Sequence, residues 1–219
     1  RAAFLDNWAE AAAEHGHVWR LPDVLARGQD RVTPAGTSEV QVVRSTASAG
    51  WSDVSAVTEL ATAMAKRRLL IGTAYFTPDP ATVEQLCEAA RRGVEVEIML
   101  PWPHMDIRVS QLAGSDAITP LLSCGVSVQV YQPTMYHAKI TLVDEDIAII
   151  GSANFNRRSA QRDDEVCLVC RDAELAATLR THWEEDRTRC APVNLKRWRR
   201  RGTWRRLKER AARIIKPMV

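Results

Sequence analysis

The sequence predicts an α/β fold, a mixed, mostly parallel β-sheet flanked by helices on both faces. Residues 68–76 (RLLIGTAYF) form a nearly continuous apolar run, as a strand covered on both faces requires. A helical stretch at 79–92 follows, with Asp79 at the N-cap, Pro80 at the first helical position and Gly93 as its stop, and residues 94–100 then read as another strand. Strand, helix and strand joined by short connections imply parallel neighbours. With 46% hydrophobic residues among 219, the chain can bury a substantial core, which excludes disordered and fibrous classes.

The remaining elements follow in order. Residues 1–14 place Phe4, Leu5, Trp8 and Ala12 at helical spacing, and Gly16 is positioned to end that helix. Phe4, Trp8 and Glu10 align with Leu179, Trp183 and Glu185 at one constant offset. Because the chain also opens on Arg1, residues 1–17 are expected to be the closing helix of a preceding half that lies outside this chain. The Pro-, Gly- and charge-rich stretch 18–37 reads as a linker. Residues 39–44 are strand-like, and 53–66 form a helix capped by Ser52 or Asp53. Pro101-Trp102-Pro103-His104 makes a rigid loop. Residues 106–113 and 115–124 read as two short helical turns, 126–131 as a strand, 164–170 as another, and 172–189 as the last helix, so the domain is expected to span 38–190.

Charge divides the chain. Residues 196–216 carry eleven Lys or Arg and one acidic residue, and since the whole chain is +3, the remainder is negative. The tail, 191–219, is expected to be a basic amphipathic segment with Leu207, Ala211, Ile214, Ile215 and Met218 on one helical face. Such a face suits an anionic bilayer, with Trp198 and Trp204 at headgroup level. Nucleic acid is the other polyanion it would suit, and a solvated helix packed on the body is the plainer reading. No run of eighteen apolar residues and no signal peptide is visible. The five cysteines form no framework, and Cys167 and Cys170, three apart in a strand, should face opposite ways as buried thiols of a reducing compartment.

The chemistry concentrates in residues 136–156 (YHAKITLVDEDIAIIGSANFN), two short strands, 138–143 and 147–150, around a turn at Asp144-Glu145-Asp146. Alternation places His137 and Lys139 on one side. A histidine near neutrality can attack phosphorus or pass a proton, and a lysine supplies fixed positive charge. Ser152 and Asn154 add neutral donors for phosphoryl oxygens, and the small residues Gly151, Ser152 and Ala153 allow close backbone approach. No metal or other cofactor is called for, since the acidic runs at 144–146 and 162–165 lack ligand spacing. His15, His17 and His182 read as ordinary surface or helix-end residues, while His104 is a candidate for the pocket mouth.

His137, Lys139, Asp144, Gly151, Ser152 and Asn154 together resemble the signature of the phospholipase D superfamily, and the flanks look most like bacterial cardiolipin synthases. The resemblance implies phosphodiester chemistry through a phosphohistidine, on a site built from two motif copies facing each other. This chain would supply one, from a C-terminal half. The upstream histidine would then be the nucleophile and His137 the general acid and later base. Lys139, Ser152 and Asn154 would hold phosphate, Asp144 would orient the hairpin and the lysine, and Glu165 would hold the second nitrogen of His137. The chain departs from the family at Trp102, Ala160 and Asp163. The expected function is phosphatidyl transfer of the cardiolipin-synthase kind on the inner, cytoplasmic face of a membrane, with a missing half or a second copy as partner. A homodimeric phosphodiesterase or nuclease and a noncatalytic binding half are the alternatives.

Overall fold

The computed structural model describes residues 4, 5, 8, 36–46, 51–156, 159 and 163–212. Expectations for the rest of 1–17, for most of the linker, for Ala160 and for the tail beyond Ala212 lie outside them. The chain divides into two units, Arg1–Ser38 and Glu39–Val219. In the first, Phe4 and Trp8 stack with ring centroids 5.5 Å apart.

Among the described residues the second unit has eleven strands: β1 Glu39–Thr46, β2 Trp51–Ser52, β3 Arg68–Thr73, β4 Phe76–Thr77, β5 Glu95–Leu100, β6 Ser127–Tyr131, β7 Lys139–Val143, β8 Ile147–Gly151, β9 Phe155–Asn156, β10 Glu165–Arg171 and β11 Cys190–Pro192. Its helices are α1 Asp53–Met64, α2 Pro80–Arg91, α3 Arg108–Ser123, α4 Ala173–Arg187, α5 Leu195–Arg199 and α6 Thr203–Ala212, with a 3-10 turn at Trp102–His104. Nine strands form one sheet in the order β11-β6-β5-β3-β7-β8-β10-β1-β2, and β4 pairs with β9 separately.

The mixed α/β class is as expected, but the parallel share is smaller. Among the described residues only β3–β5 and β5–β6 are parallel within the large sheet, where helices α2 and α3 carry the chain across. From β7 onward the connections are tight turns or returns, and the pairings β3–β7, β7–β8, β8–β10 and β10–β1 are antiparallel.

Helices cover both faces. Leu69, Ile71, Ile98 and Val143 pack with Leu86 of α2 and Ile118 and Leu121 of α3. On the other face Leu70, Met99, Leu142 and Cys170 pack with Trp183, Leu175 and Leu179 of α4. Cys167 falls on the first face with Val43 and Val54, so it and Cys170 do point opposite ways. Caps set the helix starts. Asp79 accepts from Thr82 N at 2.8 Å, Asp172 from Glu174 N and Leu175 N, and Asn194 from Lys196 N and Arg197 N. Gly93, at φ 93°, lies just past the end of α2.

Four expectations are corrected. The two short turns at 106–124 are one helix, α3, running through Gly114, where a Cβ would collide with the carbonyl of Phe76. Gly114 allows close packing and does not break the helix. The strand expected over 68–76 breaks after Thr73, and Phe76–Thr77 turns aside to pair with β9. Cys87 and Cys124 form a disulfide that joins α2 to the C-cap of α3, so the cysteine count carries no argument for a reducing compartment. Trp198, expected at headgroup level, is buried. It stacks on Trp102 with centroids 5.4 Å apart and lies under the Arg201 guanidinium at 4.4 Å, while Arg201 pairs with Glu209 at 2.8 Å.

Candidate active site

The order β3-β7-β8-β10 puts the hairpin in the middle of the sheet, and the site forms where β7 begins and β8 ends. Lys139 Nζ lies 3.1 Å from His137 Nδ1 and 3.3 Å from the His137 carbonyl. An ammonium has only donors, so Nδ1 accepts and a neutral imidazole carries its proton on Nε2. The ring of Tyr75 meets His137 edge-on at 6.0 Å, and the Tyr75 hydroxyl donates to the Asp106 carboxylate at 2.9 and 3.0 Å. Burial, and then this bond to Asp106, push the Tyr75 hydroxyl up to about 12. Tyr75 thus stays a neutral wall beside the imidazole.

Thr73 is the register partner of Lys139. Its buried hydroxyl lies 3.3 Å from Asn154 Oδ1, and Tyr75 N donates to the same oxygen at 3.2 Å. Both contacts engage the carbonyl oxygen of the amide, and its NH2 group is a donor. Neither Thr73 nor Tyr75 was singled out in the sequence, because both sit inside an apolar run. A polar residue within an otherwise buried strand is the signal that would have found Thr73.

The other expected site residues are placed differently. Glu165 opens β10, and its neighbour is β8, so its carboxylate accepts from Ser152 Oγ. It stands two strands from β7, about 10 Å at ~4.8 Å per strand, and does not hold His137. Its charge still acts on Lys139. Ser152 is engaged in this contact and accepts from Val166 N at 3.0 Å, so of the three residues expected to hold phosphate, Lys139 and Asn154 share a cavity. Asp144 sits at the far end of β7, five residues from Lys139. Its carboxylate accepts from the backbone of Lys66, Arg67 and Arg68. Burial pushes this carboxyl up, but those three donors outweigh it and hold it below its ordinary value. Asp144, at φ 49°, fastens the hairpin to the start of β3 and does not orient the lysine. Gly151 is small for packing: a Cβ there would overlap Val166 O and Cys167 of β10.

Two cavities open on opposite faces of this strand end. One, about 350 Å³, lies against α1 and includes Lys139, Asn154 and Ser159. The second, about 260 Å³, lies against α4 and includes His137, Lys139, His182 and Asp186. Lys139, Ile140 and Gly151 line both. His182, expected to be merely solvated, therefore shares a cavity with His137, whereas His104 bonds the Gln132 carbonyl at 2.6 Å. Among the described residues no group of three or more His, Cys, Asp or Glu is arranged to hold a metal ion.

Burial lowers the pKa of Lys139 from its ordinary value, against the opposing pull of Glu165. The ammonium is therefore lost at lower pH than in an ordinary lysine. The apparent KM for a phosphodiester substrate is expected to rise on the alkaline side, beginning below the usual lysine range. In Lys139→Arg, whose charge is permanent, that rise should move to higher pH. KM–pH profiles with the same alkaline limb in both proteins would contradict this assignment.

An α/β domain with a histidine–lysine pair at the open end of a central hairpin defines a protein of the phospholipase D class. The chain belongs to the family described as "Cardiolipin synthase, PLD-like domain", whose model matches residues 60–187. Cardiolipin synthase 1 of Bacillus cereus is 31% identical over 222 residues, covering 100% of this chain and 43% of that protein. The chain thus spans less than half the length of this relative. Two solved structures share the fold. Nuc from Salmonella typhimurium, a phospholipase D family member, has a TM-score of 0.62 and 22% identity, over 72% of this chain and 99% of Nuc. The phosphatidylserine synthase of Haemophilus influenzae has a TM-score of 0.65 and 16% identity, over 87% of this chain and 50% of that one.

Proposed function

We propose that the protein carrying this chain transfers phosphatidyl groups between phospholipid headgroups, in the manner its cardiolipin synthase relatives are named for, and that this chain supplies one of two facing motifs. The observation that carries this reading is the His137–Lys139 contact at the wall between two cavities, in a chain of this family. The facing motif attacks phosphorus and forms a phosphohistidine. His137 acts as the acid in its imidazolium form, in which Nδ1 also carries a proton and its contact with Lys139 opens. Nε2 gives its proton to the departing alcohol, which leaves a neutral imidazole, and later takes one from the entering alcohol or water. Lys139 and Asn154 hold the phosphoryl oxygens as charge builds on them.

The relative's greater length supports a second half. Val40, Val42, Val166 and Leu168, exposed on the α4 face of the sheet at its β1–β10 end, offer such a half an apolar surface. A homodimer would also bring two copies of His137 together, and the near-complete coverage of Nuc favours that arrangement as the second reading. The family match and 31% identity along the whole chain with a cardiolipin synthase rank phosphatidyl transfer first.

The tail supports a peripheral membrane position. Helix α6 buries Glu209 and Ala212 but leaves Trp204 70% and Leu207 54% exposed, within the most basic stretch of the chain. Among the described residues no helix is long and apolar enough to cross a membrane. Vesicles containing anionic lipid should co-sediment the full-length protein, and Trp204→Ala with Leu207→Ala should weaken that binding about tenfold or more. Strong duplex binding at the same salt, without vesicle binding, would favour the nuclease reading instead.

A further inference from the structure

We infer that the cavity between His137 and helix α4 is the alcohol site of the proposed transfer, and that His182 and Asp186 select a polyhydroxy alcohol there. The inference rests on the reading of His137 as the acid and base of that reaction. Of the two cavities, only this one is lined by His137, so a proton moves between its imidazole and an alcohol oxygen on the α4 side.

The lining chemistry identifies what fits. Leu179, His182, Trp183 and Asp186 recur at i, i+3, i+4 and i+7 along α4, the spacing of one helical stripe. Leu179 and Trp183 pack into the core on the sheet, and Trp183 is further fixed by its indole bond to Glu97 at 3.0 Å. The polar members of the stripe, His182 and Asp186, line the cavity on this fixed helix. A carboxylate accepts hydroxyl protons and repels a phosphate oxyanion, and an imidazole both donates and accepts. Such a pair suits neighbouring hydroxyls, while Lys139 and Asn154 suit the phosphoryl group. Asp186 acts electrostatically on Tyr136, another residue of the lining, whose hydroxyl is pushed up first by burial and then by this carboxylate. At about 30 Å³ per water, the ~260 Å³ of the cavity accommodates a small polyol.

In the second half-reaction the alcohol oxygen bonds to the phosphorus of the phosphohistidine on the facing motif. The P–N bond breaks and its electron pair returns to that imidazole. The alcohol proton passes to His137, which is neutral because it has already protonated the first leaving alcohol. Asp186 and His182 hold the remaining hydroxyls of the acceptor through this step.

The test uses the full-length protein, phosphatidylglycerol vesicles, and glycerol or ethanol as competing acceptor probes. Wild-type protein should prefer glycerol. In Asp186→Ala and in His182→Ala the KM for glycerol should rise so that selectivity for glycerol over ethanol falls about tenfold, as loss of a hydrogen bond to the acceptor predicts. Ethanol has no second hydroxyl to lose. Equal losses for the two acceptors, or unchanged selectivity in both variants while transfer persists, would overturn the alcohol site. Absence of any transfer by the wild-type protein would overturn the proposed function on which it rests.

Discussion

Alanine at position 137 in the full-length protein is expected to lower phosphodiester turnover by about 10²–10⁴-fold, the usual worth of a positioned acid–base group, with little change in stability. His137 is exposed, and its polar contact is with Lys139, so its removal leaves no buried group unsatisfied. In the proposed reading Lys139 remains to bind phosphate, so the loss should fall on kcat more than on KM. Thermal unfolding measured beside turnover separates the two effects. A variant that retains full turnover would mean that the chain is a binding half, with its chemistry supplied elsewhere.

Glu97→Ala is expected to have the largest effect on stability, about 3 kcal/mol by urea unfolding. This buried carboxylate accepts from Trp183 Nε1 at 3.0 Å, Gln129 Nε2 at 3.1 Å and Arg187 Nε at 3.1 Å. Arg187 is half-exposed and can turn to water, so most of the cost comes from the indole and amide left buried without an acceptor. The charge of Glu97 also raises the pKa of Arg187. Because Trp183 fixes α4, activity should decline through disorder of the cavity that holds His182 and Asp186. A loss below 1 kcal/mol would show that Glu97 does not anchor the helix.

Local signals in the sequence were strong wherever one residue type does one job. Asp79, Pro80 and Gly93 bounded α2, and Asp172 capped α4, because caps and stops act within a few residues of themselves. The His137–Lys139 pairing was legible for the same reason: two positions apart at a strand end leaves few ways to be arranged. What depended on strand order was not. Glu165 was expected at His137, but β10 neighbours β8, so its carboxylate reaches Ser152. Asp144 looked like part of the site because it shares the hairpin, yet it lies at the opposite end of β7. The Cys87–Cys124 bridge joins positions 37 residues apart on two helices, with no spacing to announce it. Gly114 and Gly151 looked like a helix boundary and a ligand-facing glycine; each is fixed by a neighbouring strand that the local sequence does not reveal.

The most direct measurement is product analysis by mass spectrometry after the full-length protein is incubated in parallel with phosphatidylglycerol vesicles and with duplex or single-stranded nucleic acid. The account predicts that phosphatidyl groups appear on a second headgroup, that glycerol is released, that the nucleic acid is left intact, and that lipid turnover is lost in His137→Ala. Cleavage of nucleic acid with phospholipid unchanged would contradict it.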